Sequence, residues 1–139
     1  MMYVLDTNVV SELRKVRLGK ADPRVAAWAE SVDATELFIS AITVMELELG
    51  VLPIERKNVT QGAMLRAWLE QHVLPEFSGR TLPIDTAVAQ RCAKLHVRDK
   101  RSERDALIAA TALVHGMTVV TRNVGDFQPT GVNVLNPWE

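Results

Sequence analysis

The chain has 139 residues, of which 47% are hydrophobic and 24% are charged, values ordinary for one globular domain. Its seven Gly, six Pro and single Cys92 exclude a low-complexity chain and an internal disulfide. Its net charge of −1 argues against a protein that holds nucleic acid across its whole surface, because such proteins are strongly basic. No run approaches the ~20 apolar residues that cross a bilayer, and no targeting segment is recognisable, so we expect a cytoplasmic protein without membrane contact.

Strand and helix signals alternate along the chain. Short apolar runs that end in polar residues predict buried strands, and amphipathic stretches opened by Asp, Ser or Asn predict helices. The alternation predicts one α/β domain over residues 1–139, with a mainly parallel sheet of four to five strands. In chain order, the predicted elements are strand 2–5, helix 7–15, helix 22–31, strand 36–39, helix 41–51, a helix from 58 or 60 to 75, strand 82–84, helix 86–98, helix 102–115, strand 117–121 and strand 132–135.

Acidic side chains follow the ends of the predicted strands, which is where open parallel sheets form their sites. Several carboxylates in one pocket repel each other, so they either take up protons or bind a cation. With oxygen ligands only, the suitable cation is Mg²⁺ or Mn²⁺, and such an ion is the usual equipment for hydrolysis of a phosphodiester bond. The candidate residues are Asp6 after the first strand, Glu46 in the helix after the second, Asp105 in the helix that Ser102 opens, and Asn123 and Asp126 after the fourth strand.

Simpler interpretations of the same residues stay open at this point. Asp6 is placed to cap a helix, Asp105 matches a capping box, and Asp126 suits a turn. Glu46 differs from these, because it flanks the buried face of its helix and an acid at that position needs a partner. Its neighbour Glu48 is expected to be a solvated charge on the opposite side.

Other phosphoryl chemistries fit the residues less well. The chain has neither the G-x-x-x-x-G-K-[ST] loop of nucleotide triphosphate binders nor the G-x-G-x-x-G of dinucleotide binders. A phosphoaspartyl mechanism at Asp6 would need a second carboxylate two residues on, where Asn8 stands. A receiver-like signalling domain would need Lys after a late strand, where Thr121 and Arg122 stand.

Four motifs occur in order along the chain. They are Leu5-Asp-Thr-Asn-Val-Val-Ser-Glu12, Ser40-Ala-Ile-Thr-Val-Met-Glu-Leu-Glu-Leu-Gly50, Asp105-Ala-Leu-Ile-Ala-Ala-Thr111 and Val119-Val-Thr-Arg-Asn-Val-Gly-Asp-Phe127. Together they resemble the PIN-domain family, and in particular its VapC/FitB group of toxins, over essentially the whole chain. The resemblance implies a three-layer α/β/α sandwich and an endoribonuclease that depends on Mg²⁺ or Mn²⁺. It also implies a VapB-like antitoxin that holds the enzyme inactive, and homodimers that join into larger toxin–antitoxin assemblies.

The resemblance carries over to individual residues. Matched by position, Asp6, Glu46 and Asp105 fall on the family's three acidic positions that bind metal and serve in catalysis. Many members carry a fourth acid where Asn123 stands here, so either Asn123 or Asp126 is implied to complete the catalytic set. The alternative is a non-catalytic PIN module that binds RNA or a protein partner, and the three retained acids argue against it.

Basic residues near these acids are expected to contact RNA phosphates. The two basic runs are Arg14, Lys15, Arg17 and Lys20, soon after Asp6, and Arg91, Lys94, Arg98, Lys100, Arg101 and Arg104, just before Asp105. The near-zero net charge therefore hides a separation between acids at strand ends and bases around them. Only 5% of residues are aromatic, so Trp28, Trp68 and Trp138 are expected to pack in the protein rather than stack on bases.

Overall fold

Five short parallel strands form the centre of the protein in the computed structural model, which describes residues 1–98 and 102–139. The strands are β1 (Tyr3–Leu5), β2 (Leu37–Ser40), β3 (Thr81–Leu82), β4 (Thr118–Val120) and β5 (Val134–Leu135). Their order in the sheet is β3–β2–β1–β4–β5, and each of these neighbouring pairs is parallel. The predicted mainly parallel sheet of four to five strands is confirmed.

Eight α-helices connect and cover the strands among the described residues. They are α1 (Thr7–Arg14), α2 (Pro23–Ser31), α3 (Ala41–Lys57), α4 (Val59–Trp68), α5 (Leu74–Glu76), α6 (Thr86–Arg98), α7 (Glu103–His115) and α8 (Val124–Phe127). Short 3₁₀ turns occur at Ala34–Glu36 and Gln128–Thr130, and a π-helical turn at Leu69–Val73 joins α4 to α5. Within the described ranges, no helix combines the length and the apolarity needed to cross a membrane.

The two faces of the sheet bury separate hydrophobic cores. Successive residues of a strand point to opposite faces, so Tyr3 and Leu5 lie on one side of β1 and Val4 on the other. Tyr3 and Leu5 belong to a core that includes Val9 of α1 and further residues of α2, α3 and the π-helical turn. Val4 belongs to a second core that includes Ile108 of α7 and residues of α6 and α8. This is the three-layer α/β/α sandwich that the family resemblance implies.

The third helix is longer than predicted. It was expected to end at Val51, but it continues through Pro53 to Lys57. Proline removes one main-chain hydrogen bond and usually bends or ends a helix. The extra turns pack against α4 so closely that a Cβ on Gly62 would lie 2.5 Å from the Cα of Glu55. Tertiary packing between α3 and α4 therefore outweighs the tendency of Pro53 to end the helix.

Arg66 of α4 joins the two helices through three carboxylates. Its Nη1 lies 2.8 Å from Glu48 Oε1 and 3.2 Å from Glu70 Oε1, and its Nη2 lies 2.9 Å from Glu55 Oε1. The expectation that Glu48 is a solvated charge was wrong, since its carboxylate is partly buried in this ion-pair network. The partner comes from a different helix, so the sequence around Glu48 does not reveal it.

Candidate active site

The candidate site lies where the order of the sheet changes direction. The strands β2 and β3 follow on one side of β1, whereas β4 and β5 lie on its other side. Open α/β sheets form their binding crevice at such a point, beyond the carboxyl ends of the strands. The register pairs Leu5 with Val120, so the residues that follow, Asp6 and Thr121, are brought side by side.

Asp6 is buried, with 5% of its surface exposed, and both of its carboxylate oxygens accept hydrogen bonds. Oδ1 accepts from the main-chain N–H of Thr7 at 2.8 Å, which is the N-cap of α1. Oδ2 accepts from the Thr121 hydroxyl at 2.7 Å. Capping and a role in the site are therefore compatible, because each uses a different oxygen of the same carboxylate.

The side chain of Glu46 projects from α3 toward Asp6, and both acids form hydrogen bonds with Thr7. Its Oε1 accepts a hydrogen bond from the Thr7 hydroxyl at 2.8 Å, and the Thr7 hydroxyl is also 3.1 Å from the hydroxyl of Thr43. Its Oε2 lies 3.8 Å from Nη1 of Arg104. Thr7 therefore links two acids, since its main-chain N–H binds Asp6 and its hydroxyl binds Glu46. The predicted need of Glu46 for a partner is met by Thr7 and Arg104.

Asp105 lies in the first turn of α7, and the capping-box interpretation of this turn was wrong. Ser102 is the N-cap residue, yet its side chain makes no capping hydrogen bond to the described residues. Burial raises the pKa of Asp105 to about 6, and the negative charges of Asp6, Asp126 and Glu46 add to the effect. The structure thus places Asp105 within the electrostatic reach of the other three acids.

The pKa of Asp6 is also raised. Burial is the largest cause, and the charges of Glu46 and Asp126 act in the same direction. The hydrogen bonds from Thr121 and Thr7 oppose the rise, because they stabilise the ionised carboxylate. The negative charge concentrated here is therefore only partly compensated by hydrogen bonds.

Asn123 and Asp126 lie at the exposed rim of this group of acids. The main-chain N–H of Asn123 donates to the Thr121 hydroxyl at 2.9 Å, so it supports the hydroxyl that holds Asp6. The side chain of Asn123 makes no capping bond to the described part of α8. Asp126, by contrast, acts through its charge on both Asp6 and Asp105. Of the two residues, only Asp126 carries a negative charge, and which of them completes the catalytic set stays a prediction.

The chemistry of these donors fits a hard divalent cation. The donors are carboxylate oxygens, and burial together with the neighbouring negative charges raises the pKa values of Asp6 and Asp105. Asn8, two residues after Asp6, has a buried Oδ1 without a hydrogen-bond partner among the described residues, an arrangement that normally calls for a water or ligand. Among the described residues, no three Asp, Glu, His or Cys side chains are close enough together to hold a metal ion as they are. An ion would therefore have to draw the carboxylates together.

Most of the first basic run contacts the protein itself. The Arg14 guanidinium lies 5.7 Å from the centre of the Trp68 ring, Lys15 pairs with Glu12 at 3.2 Å, and Arg17 Nη1 lies 2.8 Å from Nδ1 of His72. In the second run, Lys100, Arg101 and the side chain of Arg98 lie outside the described residues. Arg104 pairs with Glu46, and the proposed phosphate contacts stay a prediction.

The three tryptophans make contacts within the protein, as expected. Trp28 meets the ring of Tyr3 edge-on at 5.4 Å, and Trp138 is buried beneath the guanidinium of Arg122 at 5.3 Å. Trp68 stacks with Arg14. Their rings are therefore engaged in packing.

Two threonines of the site were not singled out by the sequence analysis. Thr121 and Thr43 are both fully buried, and they hold Asp6 and Thr7 respectively. For Thr121, the available signal was a hydroxyl directly after a buried apolar strand, whereas Thr43 lies within α3 and carried no such signal. This signal has meaning only once β1 and β4 are known to be neighbours.

Known proteins with related sequences cover the whole chain. The chain is 42% identical to Toxin FitB of Neisseria gonorrhoeae and 39% identical to a VapC ribonuclease of Sinorhizobium fredii. Each comparison covers 99% of this chain and 99% of the related sequence. Among solved structures, it resembles FitAcB from Neisseria gonorrhoeae with a TM-score of 0.88 at 40% identity, covering 99% of each chain. It resembles a toxin–antitoxin complex from Klebsiella pneumoniae with a TM-score of 0.67 at 27% identity, covering 99% of this chain and 98% of the other.

The family model described as PIN domain matches residues 3–128, from the first residue of β1 to just beyond α8. This range contains every candidate acid and the whole switch point of the sheet. The sheet order, the two buried cores and the relatives at about 40% identity agree with that match. The chain therefore belongs to the PIN domain family.

Proposed function

We propose that this chain is the toxin of a toxin–antitoxin pair and that it is an endoribonuclease dependent on Mg²⁺ or Mn²⁺. The observation that carries the proposal is the group formed by Asp6, Glu46, Asp105 and Asp126, whose charges act on one another at the switch point of the sheet. Relatives named toxin and ribonuclease support the biological role and RNA as the substrate. The enzyme would act in the cytoplasm.

In this proposal, Asp6, Glu46 and Asp105 hold the ion. When bound, the ion would supply positive charge and Lewis acidity for hydrolysis of the phosphodiester bond. Asp6 is oriented by Thr7 and Thr121, and Glu46 by Thr7, so hydrogen bonds direct these two carboxylates before an ion or substrate arrives. Asp126, at the rim, adds negative charge, and Asn123 supports Thr121 through its main chain.

A VapB-like antitoxin is the proposed partner, and a groove beside the acids gives it access to them. A cavity of about 230 Å³ is lined by Thr7 and Glu46 of the site and by the apolar side chains of Leu47, Val51 and Trp68. A partner segment with apolar side chains would bury them there and would lie against the catalytic acids. The solved toxin–antitoxin complex of similar fold supports a partner of this kind.

A homodimer is also proposed, and an apolar surface supports it. Met45, Leu49 and Leu52 follow one another at helical spacing on the exposed face of α3, and each is more than two-fifths exposed. Val59 and Met64 of α4 are exposed as well. Neighbouring exposed apolar side chains of this size are typical of protein contact surfaces.

The nuclease proposal is tested with purified protein and a labelled structured RNA. Cleavage is expected with Mg²⁺ or Mn²⁺, and none with EDTA. Asp6→Asn should abolish cleavage, because it removes a charged metal ligand, yet keep the fold, because an amide oxygen can still accept from the Thr7 N–H. Circular dichroism checks the fold of the variant.

Two outcomes would count against the proposal. Full cleavage by Asp6→Asn would remove the metal-site argument, and RNA binding without cleavage in Mg²⁺ would favour the non-catalytic PIN module. The partner is tested separately by co-expressing the small protein encoded next to this chain. A stable complex that suppresses cleavage is expected, and failure to bind would contradict the toxin–antitoxin role.

A further inference from the structure

One cation is paired with the acids of the site. Arg104 Nη1 lies 3.8 Å from Glu46 Oε2, and among the described residues it is the only Lys or Arg in an ion pair with Asp6, Glu46, Asp105 or Asp126. Among the described residues, Asp6 accepts hydrogen bonds from Thr7 and Thr121, and the negative charges of Asp6 and Asp126 act on Asp105. Among the described residues, Arg104 therefore supplies the positive charge nearest to the group.

Stabilisation of α7 does not explain why an arginine occupies position 104. Arg104 is in the first turn of the helix, where the exposed N–H groups make a positive charge unfavourable. Its side chain is 49% exposed, and an ion pair so open to water contributes little to folding. The contact with Glu46 is therefore weak, and it can be exchanged without unfolding the helix.

Both oxygens of Glu46 are engaged in the structure. Thr7 donates to Oε1 and Arg104 faces Oε2, while the site holds no ready-made group of three metal-binding side chains within the described ranges. A divalent ion that takes Glu46 as a ligand meets Arg104 as a competitor for the same carboxylate. Two positive centres on one carboxylate oxygen also repel each other, so binding of the ion favours departure of the guanidinium.

We propose that Arg104 is the built-in counter-ion of Glu46, which a divalent metal displaces, and that it acts as a positioning residue that sets the metal affinity of the site. The inference rests on the proposed function, since it assumes that Glu46 is a metal ligand. Displacement carries the guanidinium toward solvent, which is open to it because half of the side chain is already exposed.

The test is a calorimetric titration of Mn²⁺ into the purified full chain without RNA. Arg104→Gln removes the competing charge and should tighten Mn²⁺ binding by about threefold to tenfold. Arg104→Lys keeps the charge and should stay close to the wild-type protein. The matched control Arg56→Gln makes the same charge change at an exposed position near the far end of α3, and it should leave Mn²⁺ affinity unchanged.

The outcomes separate this inference from the proposed function. If the wild-type protein binds Mn²⁺ and Asp6→Asn abolishes binding, while Arg104→Gln binds as the wild type does or more weakly, the contact is incidental and the inference is wrong. If the wild-type protein binds no Mn²⁺, the metal-dependent function itself fails and the inference fails with it. Tighter binding by Arg104→Gln but not by Arg56→Gln would support the inference.

Discussion

The hydroxyl of Thr121 donates a hydrogen bond to Asp6 Oδ2 at 2.7 Å, and this buried bond joins the carboxyl ends of the two central strands. It connects residues that are 115 positions apart in the sequence. Asn123 donates its main-chain N–H to the same hydroxyl, so the loop after β4 and the acid after β1 are tied together. The orientation of Asp6 therefore depends on the fourth strand.

Replacing Thr121 by Val tests this connection. The variant removes the donor to Asp6 and leaves the Asn123 N–H without its acceptor, so the free energy of unfolding should fall by about 1–2 kcal/mol. Losing the hydrogen bond should also raise the pKa of Asp6 and reduce RNA cleavage by about 10- to 100-fold. Thr118→Val changes a buried threonine at the other end of β4, away from Asp6, and it should leave cleavage unchanged. Equal cleavage by both variants would contradict a role for Thr121.

The raised pKa of Asp105 predicts a pH-dependent stability. Folding raises this pKa from 3.8 to about 6, so the folded protein binds the proton more tightly than the unfolded chain does between these values. The free energy of unfolding should therefore fall as the pH rises from about 4 to 6 and stay lower above that range. At neutral pH, ionisation of Asp105 is therefore expected to lower the stability of the wild-type protein without metal.

Asp105→Asn should remove this loss and stabilise the metal-free protein at pH 7.5 by about 1 kcal/mol, while abolishing RNA cleavage. Near pH 4 the difference between variant and wild type should disappear, since the carboxyl group is then neutral in the folded protein. Urea denaturation in EDTA at the two pH values measures the effect. A stability difference of the same size at both pH values would show that ionisation of the Asp105 carboxyl group is not its cause.

The close approach of α3 and α4 predicts opposite effects for two glycines. Gly62→Ala would place a Cβ 2.5 Å from the Cα of Glu55, so it should destabilise the protein by about 2–3 kcal/mol. Gly50→Ala, within α3, meets no atom of the described residues within 4 Å and should stabilise by about 0.5–1 kcal/mol. Urea unfolding curves compare the two, and a neutral Gly62→Ala would show that the helices are farther apart.

The apolar face of α3 predicts the effect of a charge on self-association. Leu49→Glu should convert the proposed homodimer into a monomer, because Leu49 is exposed between Met45 and Leu52. Light scattering coupled to size exclusion distinguishes one 15.4 kDa chain from two. Leu18→Glu changes a leucine after α1 that is more exposed than Leu49, and it should leave the mass unchanged. A dimer that survives Leu49→Glu would place the interface elsewhere.

The sequence by itself was sufficient to predict the class of fold and to predict that acidic residues lie at the carboxyl edge of the sheet. Asp6 follows a buried apolar run, and parallel strands bring their carboxyl ends to one edge, so a sheet-edge site follows from local patterns. The predicted end of the third helix at Val51 was wrong, because α3 continues to Lys57 where it packs on Gly62 of α4. The solvated role of Glu48 failed for the same reason, since Arg66 comes from another helix.

Periodicity and the short-range order of residues determined which segments are strands and which acids follow them. Only the tertiary structure decided which strands are neighbours, and with that which hydroxyl holds Asp6 and which cation faces Glu46. The physical reason is that hydrogen bonds and ion pairs act over a few ångströms in space, whatever the separation along the chain. Thr121 and Arg104 therefore belong to the site through the β1–β4 pairing and the position of α7.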